Sequence, residues 1–203
     1  MTEVTSQYAK AVRHLKRRDK ILKPIIEKVG PCTLNPDPDA FVILVRAIIS
    51  QQISTKAAKS IFQKLETLLK PKKVRPKNVL AVKDEDLKSA GLSTSKRAFL
   101  TDLATKVINK EVRLQDTPGM SDEDVIQHLL PVKGIGRWTA EMFLIFALGR
   151  LDVLPLADLG LVTALKTHYD LPEKPSKEEF LKVTEPWRPY ASIGTWYMWR
   201  TFD

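Results

Sequence analysis

The sequence predicts an all-α protein, and three observations carry that prediction. Apolar residues recur at three- and four-residue spacing over long stretches, and no sustained period-two run enriched in β-branched residues appears. The thirteen prolines fall mostly between the periodic runs, at positions such as Pro36, Pro38, Pro71, Pro76, Pro118, Pro172 and Pro175. With 203 residues and 43% hydrophobic content, the chain can bury a real core, as one large domain or two small ones. No internal repeat, low-complexity stretch or long linker marks a simple domain boundary.

In chain order, Phe41, Val42, Val45, Ile48 and Ile49 form the first helical face. Ala57, Ala58, Ile61, Phe62, Leu65, Leu68 and Leu69 form the second, with Ser54 placed as its N-cap. Phe99, Leu100, Leu103, Ala104, Val107 and Ile108 form the third, in a helix that Ser93 would cap and that carries Lys96. Ser121 followed by Asp122, Glu123 and Asp124 supplies a cap and an acidic first turn for a helix reaching Leu130. The next helix spans Trp138–Leu148 and stops at Gly149. A further apolar run begins at Leu159.

The formal charge of +9 and a pI near 9.6 favour a polyanionic partner. The excess is spread along the chain, and only Lys96-Arg97 and Lys133 with Arg137 adjoin glycine-containing turns. The Lys70-Pro71-Lys72-Lys73 run reads as a solvated loop. One cysteine, Cys32, excludes an intramolecular disulfide framework and a four-cysteine iron–sulfur cluster. Three well-separated histidines, His14, His128 and His168, offer no compact zinc spacing. No apolar run is long enough to span a bilayer, and the basic start is followed by no apolar signal segment. These features point to a cytosolic, metal-independent protein.

The strongest motif is the turn Lys133-Gly134-Ile135-Gly136-Arg137 between two apolar helices. Glycines here let the backbone turn tightly and leave no Cβ between its amides and a phosphate. Lys133 and Arg137 would add positive charge beside it. A glycine-rich link between two core helices is the plainer alternative. Asp158, among Leu156, Ala157, Leu159 and Leu161, is either the N-cap of the following helix or a partly desolvated carboxylate able to do chemistry. Asp152 is its competitor, at a position expected to be exposed. Gln51 and Gln52 occupy an inter-helix turn, as polar surface or as a finger that enters the base stack when a nucleotide is extruded. Trp138, after the glycine turn, and Trp187, at a proline-flanked helix start, are placed to stack on a base. Trp196 and Trp199 read as core.

Taken together, five segments resemble the helix-hairpin-helix superfamily of DNA glycosylases, with a Gly/Pro-rich loop and an aspartate (HhH-GPD), in its DNA-3-methyladenine glycosylase II branch. They are Ala47–Ser54, Gly91-Leu92-Ser93 with Lys96, Leu130–Ala140, Asp158–Leu161 and Pro186–Tyr190. The resemblance runs from about Ala40 to Phe202. It implies a two-lobed helical fold with the active-site cleft between lobes and no N-terminal β-domain. The lobes would be residues 36–136, and residues 1–35 together with 137–203.

The resemblance makes Asp158 catalytic and gives base binding to Trp138, Trp187 and Met142. It gives DNA binding to Gln52, the wedge, with Gln51, Lys133, Gly134, Ile135, Gly136, Arg137, Thr139 and Lys96. Strand-cleaving relatives carry a Schiff-base lysine after the hairpin arginine. Trp138 stands there instead, which implies a monofunctional enzyme. The chain departs from the family pattern at Ala157, where relatives often have a second acid, and at Met142, where some have an aromatic.

The implied reaction is hydrolytic release of cationic alkylated purines such as 3-methyladenine from double-stranded DNA, leaving an abasic site. The implied enzyme is a monomer in the cytoplasm or nucleoid (the nucleus of a eukaryote). It needs no cofactor and has no iron–sulfur cluster; a monovalent cation at the hairpin carbonyls stays open. Two other readings also stay open: a glycosylase for neutral bases such as uracil, hypoxanthine or mismatched thymine, and a non-catalytic helix-hairpin-helix module that only clamps DNA.

Overall fold

The computed structural model describes residues 3–202, and among them there are twelve α-helices, short 3-10 turns and no strand. The chain divides into two compact units: Asp37–Leu148, and Met1–Pro36 with Gly149–Asp203.

Unit Asp37–Leu148 is built around α3 (Ala40–Ser50), which is apolar on nearly every side and buries Phe41, Ile43, Leu44, Val45, Ala47, Ile48 and Ile49. A helix buried all round needs neighbours on several faces. These are α4 (Thr55–Leu69), α7 (Thr94–Ile108) and α9 (Arg137–Phe146). They contribute Phe62 and Leu65, Leu100 and Leu103, and Phe143 and Leu144 to the core. Two short helices, α5 (Pro76–Leu80) and α6 (Asp84–Ser89), cover α7, and α8 (Asp122–Leu129) packs on α9.

Each expected serine N-cap forms, whereas α9 ends at Phe146 with Ala147, not Gly149, as its C-cap. Ser54 accepts from the amide of Ala57 at 3.2 Å, Ser93 from Lys96 at 3.3 Å and Ser121 from Asp124 at 3.2 Å. Asp39, not singled out in the sequence, caps α3 through the amide of Val42 at 3.3 Å. Helix α9 begins at Arg137 and packs on α3 and α8, so the contact boundary follows it at Leu148 and does not fall at Gly136.

The second unit centres on α12 (Ala191–Trp199), whose residues Ala191–Met198 are all buried. Around it lie α1 (Glu3–Arg18), α2 (Leu22–Val29) and α10 (Leu159–His168). Helix α11 (Lys177–Thr184) leads into the turn Glu185–Trp187. Ser176 and Glu179 close a reciprocal capping box at the start of α11.

Candidate active site and nucleic-acid interface

The glycine turn joins α8 to α9 as a hairpin, and the rest of its unit holds it at four points. The amide of Ile135 donates to the carbonyl of Val132 at 3.0 Å, closing the turn, while the Ile135 side chain is buried. The amide of Lys133 donates to Asp102 Oδ2 at 2.8 Å, and Lys106 Nζ donates to both oxygens of the same carboxylate at 2.8 Å. Burial pushes the Asp102 carboxyl up, but the hydrogen bonds from Lys106 and Lys133 outweigh it and leave the group below the ordinary aspartate range. Gln51 Nε2 donates to the carbonyl of Gly134 at 2.8 Å. Beneath Gly134 lies the Phe99 ring.

The two glycines differ in why they are there. Gly134 has φ +78°, and a Cβ on it would lie 2.1 Å from Phe99 Cδ2. Its own fold requires glycine. Gly136 has φ −103° and ψ −179°, and a Cβ there would meet nothing within 4 Å. No intramolecular contact requires glycine at that exposed position, whereas close approach of a ligand to the backbone would. Gly136 is the N-cap of α9 and so stands at the positive end of that helix.

Arg137 does not stand free as a positive charge. Its Nη2 donates to both carboxylate oxygens of Glu123, at 2.9 and 2.7 Å, and Gln127 Nε2 orients the same carboxylate at 2.9 Å. Those hydrogen bonds, Gln127's first and Arg137's next, hold Glu123 below the usual carboxylate range, and the bond to Glu123 raises Arg137. Lys133 is exposed, and Trp138 is half-buried in the first turn of α9.

Four other expected contact residues face inward. Thr139 is buried, and its hydroxyl accepts from Gln51 Nε2 at 3.0 Å, so its side chain braces the hairpin and does not touch DNA. Gln51 is turned the same way, leaving Gln52 as the exposed member of the pair, at φ +57°. Met142 is buried in the α9 face of the core and cannot stack on a base. Lys96 Nζ donates to the carbonyl of Ile49 at 2.7 Å, which satisfies the open end of α3. Burial pushes that ammonium below the ordinary lysine value, and the bond to Ile49 engages it within the turn.

In the other unit, Asp158 is the N-cap of α10. Its Oδ1 accepts from the amide of Leu161 at 2.7 Å and from Trp199 Nε1 at 2.8 Å. Gly160 leaves room for this arrangement, since a Cβ there would lie 3.2 Å from Asp158 Oδ1 and 3.4 Å from Trp199 Cδ1. The carboxylate is half-buried, and Leu159 beside it is 82% exposed. Trp199, expected in the core, therefore positions the candidate catalytic group, and no spacing in the sequence signals this. Asp152 is engaged elsewhere: Oδ1 accepts from the amide of Ala191 at 3.2 Å and pairs with Arg188 Nη1 at 3.0 Å.

Trp187 is the clearest correction. It is fully buried, packed so closely under α12 that a Cβ on Gly194 would lie 2.5 Å from its Cε3. Its Nε1 donates to Asp19 Oδ2 at 2.7 Å and to Tyr169 Oη at 3.2 Å. Asp19 also accepts the Tyr169 hydroxyl and the amides of Ile21 and Leu22. Burial first, and Asp19 second, push the Tyr169 phenol well above its ordinary value. Trp187 is thus the apolar cover of a buried polar hub and offers no face to a base. Among the described residues, no group of three or more His, Cys, Asp or Glu side chains could hold a metal ion.

Residues 45–189 match the family model described as HhH-GPD superfamily base excision DNA repair protein. The chain is 36% identical to the alkylbase DNA glycosidase-like protein mag2 of Schizosaccharomyces pombe, over 96% of this chain and 94% of that one. Its fold matches the structure of the S. pombe 3-methyladenine DNA glycosylase Mag1 in complex with abasic DNA, with a TM-score of 0.85 and 32% identity. That match covers 95% of this chain and 96% of the other. A DNA-3-methyladenine glycosidase from Bacillus halodurans matches with a TM-score of 0.77 and 34% identity, covering 94% and 88%.

Proposed function

This chain belongs to the HhH-GPD superfamily of base excision DNA repair proteins, and from that premise we propose that it is a monofunctional DNA glycosylase for alkylated purines. The observation that carries the reading is Asp158, a carboxylate fixed at a helix N-terminus by the Leu161 amide and the Trp199 indole. A group held by two donors keeps its geometry while charge develops nearby, which is what transition-state stabilisation requires.

An N-alkylated purine such as 3-methyladenine is cationic, so its glycosidic bond is already weak and little leaving-group acid is needed. As that bond breaks, positive charge moves onto the sugar, and Asp158 stabilises the oxocarbenium-like state or orients the attacking water. The hairpin amides beside Gly136 take a backbone phosphate. Gln52, exposed and projecting from its turn, fills the space left by the extruded nucleotide, and Trp138 stacks on the base. With Trp138 where strand-cleaving relatives carry lysine, the site lacks the amine for Schiff-base chemistry. The enzyme acts as a monomer on double-stranded DNA, without a cofactor, wherever the cell keeps its DNA.

Asp158→Asn tests this directly, because asparagine is as good an N-cap as aspartate and spares α10. The variant should lose base release from methylated DNA by about 10²–10³-fold, the range for one well-placed electrostatic group. It should still bind duplexes containing an abasic site. Unchanged excision would sink the assignment. The second reading, a non-catalytic clamp, draws on the same hydrogen bonds, since capping alone accounts for an aspartate at this position. It requires that no free base is released from methylated, uracil-containing or hypoxanthine-containing duplexes. Release from the latter two alone would point to neutral bases.

A further inference from the structure

Gln52 and Gln51 are adjacent, yet the structure treats them oppositely. Gln52 is exposed in a left-handed conformation, φ +57°, which is strained for any residue with a side chain. Such a conformation persists only where the surroundings over-determine it. The surroundings here are unusually specific. Lys96 Nζ caps the carbonyl of Ile49 at 2.7 Å, Ser50 Oγ donates to Ala47 at 2.9 Å, and the amide of Ile53 returns to Ser50 at 3.4 Å. From Gln51, both N–H bonds leave the turn altogether, to the Gly134 carbonyl at 2.8 Å and Thr139 Oγ1 at 3.0 Å, more than eighty residues away. A backbone carbonyl can only accept, which fixes the amide nitrogen of Gln51 on that side.

We propose that Gln51 is a positioning residue that locks the turn carrying Gln52 to the phosphate-binding hairpin, so that gripping the backbone and driving the wedge into the duplex are one rigid-body event. The proposal rests on the reading of Gln52 as the wedge. One strut spans the two contact elements because Gly134 sits at the hairpin's apex and Thr139 in the first turn of the helix behind it. Bonds to both fix the wedge turn in position and in orientation. Gln51 itself touches no DNA. Cutting the strut leaves the hairpin's grip, with Asp102, Phe99 and Ile135 still in place, but lets the wedge drift relative to it.

The experiment follows nucleotide extrusion and wedge insertion by stopped-flow fluorescence of 2-aminopurine placed beside a tetrahydrofuran abasic analogue in duplex DNA. Gln51→Met keeps the side chain's length and removes its amide. Its fluorescence rise should be about thirtyfold slower than wild type, the factor expected from two neutral hydrogen bonds. Its affinity for undamaged duplex should change by less than about threefold. Thr139→Val, which removes one acceptor, should give a smaller slowing, and thermal melts of both proteins report whether folding is intact.

Gln52→Ala should slow the rise as well, and adding Gln51→Met to it should slow it no further, since a strut has nothing to position once the wedge is gone. A wild-type rate for Gln51→Met would overturn the proposal. So would independent, multiplying losses in the double variant, or a parallel fall in duplex affinity, because either makes Gln51 a DNA contact in its own right. If Gln52→Ala alone leaves the rise unchanged, the wedge reading fails first and the coupling falls with it.

Discussion

The two hairpin glycines should separate cleanly under substitution. At Gly134, alanine meets two penalties. The backbone sits at φ +78°, which costs a residue with a Cβ about 1–2 kcal/mol. The new Cβ would also overlap Phe99, at 2.1 Å from Cδ2 and 2.4 Å from Cγ. Cγ is the root of the ring and not its flexible end, so Phe99 must move bodily, at the cost of about 1–3 kcal/mol typical of overpacking. Gly134→Ala should therefore lose about 2–5 kcal/mol, or about 4–20 °C in Tm.

At Gly136 the added methyl meets open space and an ordinary backbone. A slightly poorer N-cap is offset by the lower entropy of the unfolded chain, leaving stability within about 1 kcal/mol of wild type. Its cost should fall on binding, with affinity for abasic-site DNA down about tenfold or more, because the methyl projects where a phosphate must approach. Differential scanning calorimetry and fluorescence anisotropy read the two quantities. Phe99→Ala should relieve Gly134→Ala in part, giving a coupling of about 1–3 kcal/mol of opposite sign. If Gly134→Ala melts within about 2 °C of wild type, or Gly136→Ala binds DNA normally, this division of labour is wrong.

Trp199→Phe removes the 2.8 Å bond to Asp158 and should slow excision about tenfold with little change in KM, as expected for a hydrogen bond to a charged group; single-turnover assays on methylated DNA check it, and an unchanged rate means Trp199 only packs. Glu123→Gln removes the carboxylate whose two oxygens hold Arg137 Nη2, leaving only Glu141 at 4.0 Å among the described residues, so undamaged duplex should bind more tightly and the log–log salt slope should steepen by up to about one unit. An unaltered slope would show that Arg137 stays turned away from phosphate. Because Asp102's carboxyl is held below its usual value, about 3.9, by Lys106 and the Lys133 amide, its bonds contribute stability above that value. That contribution fades as pH falls through the depressed value. Asp102→Asn should flatten this part of the acid limb of a Tm–pH curve, and superimposable curves would contradict it.

The helical architecture was readable because local signals agreed with one another. Ser54, Ser93 and Ser121 sit directly before apolar-periodic runs and cap them as expected. The hairpin was readable for the same reason, as two glycines between two such runs. What periodicity does not encode is which face of a polar or amphipathic residue meets solvent. Trp187 stands beside prolines like a surface aromatic. Its burial depends on Asp19, a residue 168 positions away whose carboxylate satisfies the indole N–H. Thr139 and Gln51 face each other across 88 positions, and Lys96 finds its carbonyl acceptor across 47. The family resemblance makes each of them a DNA contact. Long-range partners that exist only after folding turn these inward.

Asp158 shows why capping and catalysis need not compete for one residue. From sequence they are alternatives, and the structure gives the capping bond without removing the chemical role. An aspartate at an N-cap is held by a backbone donor that no side-chain mutation nearby can remove. The Trp199 indole adds a second donor to the same oxygen, from a different helix, so rotation about the carboxylate's bond is resisted on two sides. Gly160 keeps the space this requires. The cap is therefore the device that pre-positions the carboxylate. A catalytic group that must stabilise transient positive charge loses rate whenever it has to reorganise first. On this argument Asp158→Ala and Asp158→Asn should be equally inactive in excision, while only the alanine variant loses the cap, at about 1 kcal/mol of stability. Matching melts for the two variants would separate the acid from its helix and undo the argument.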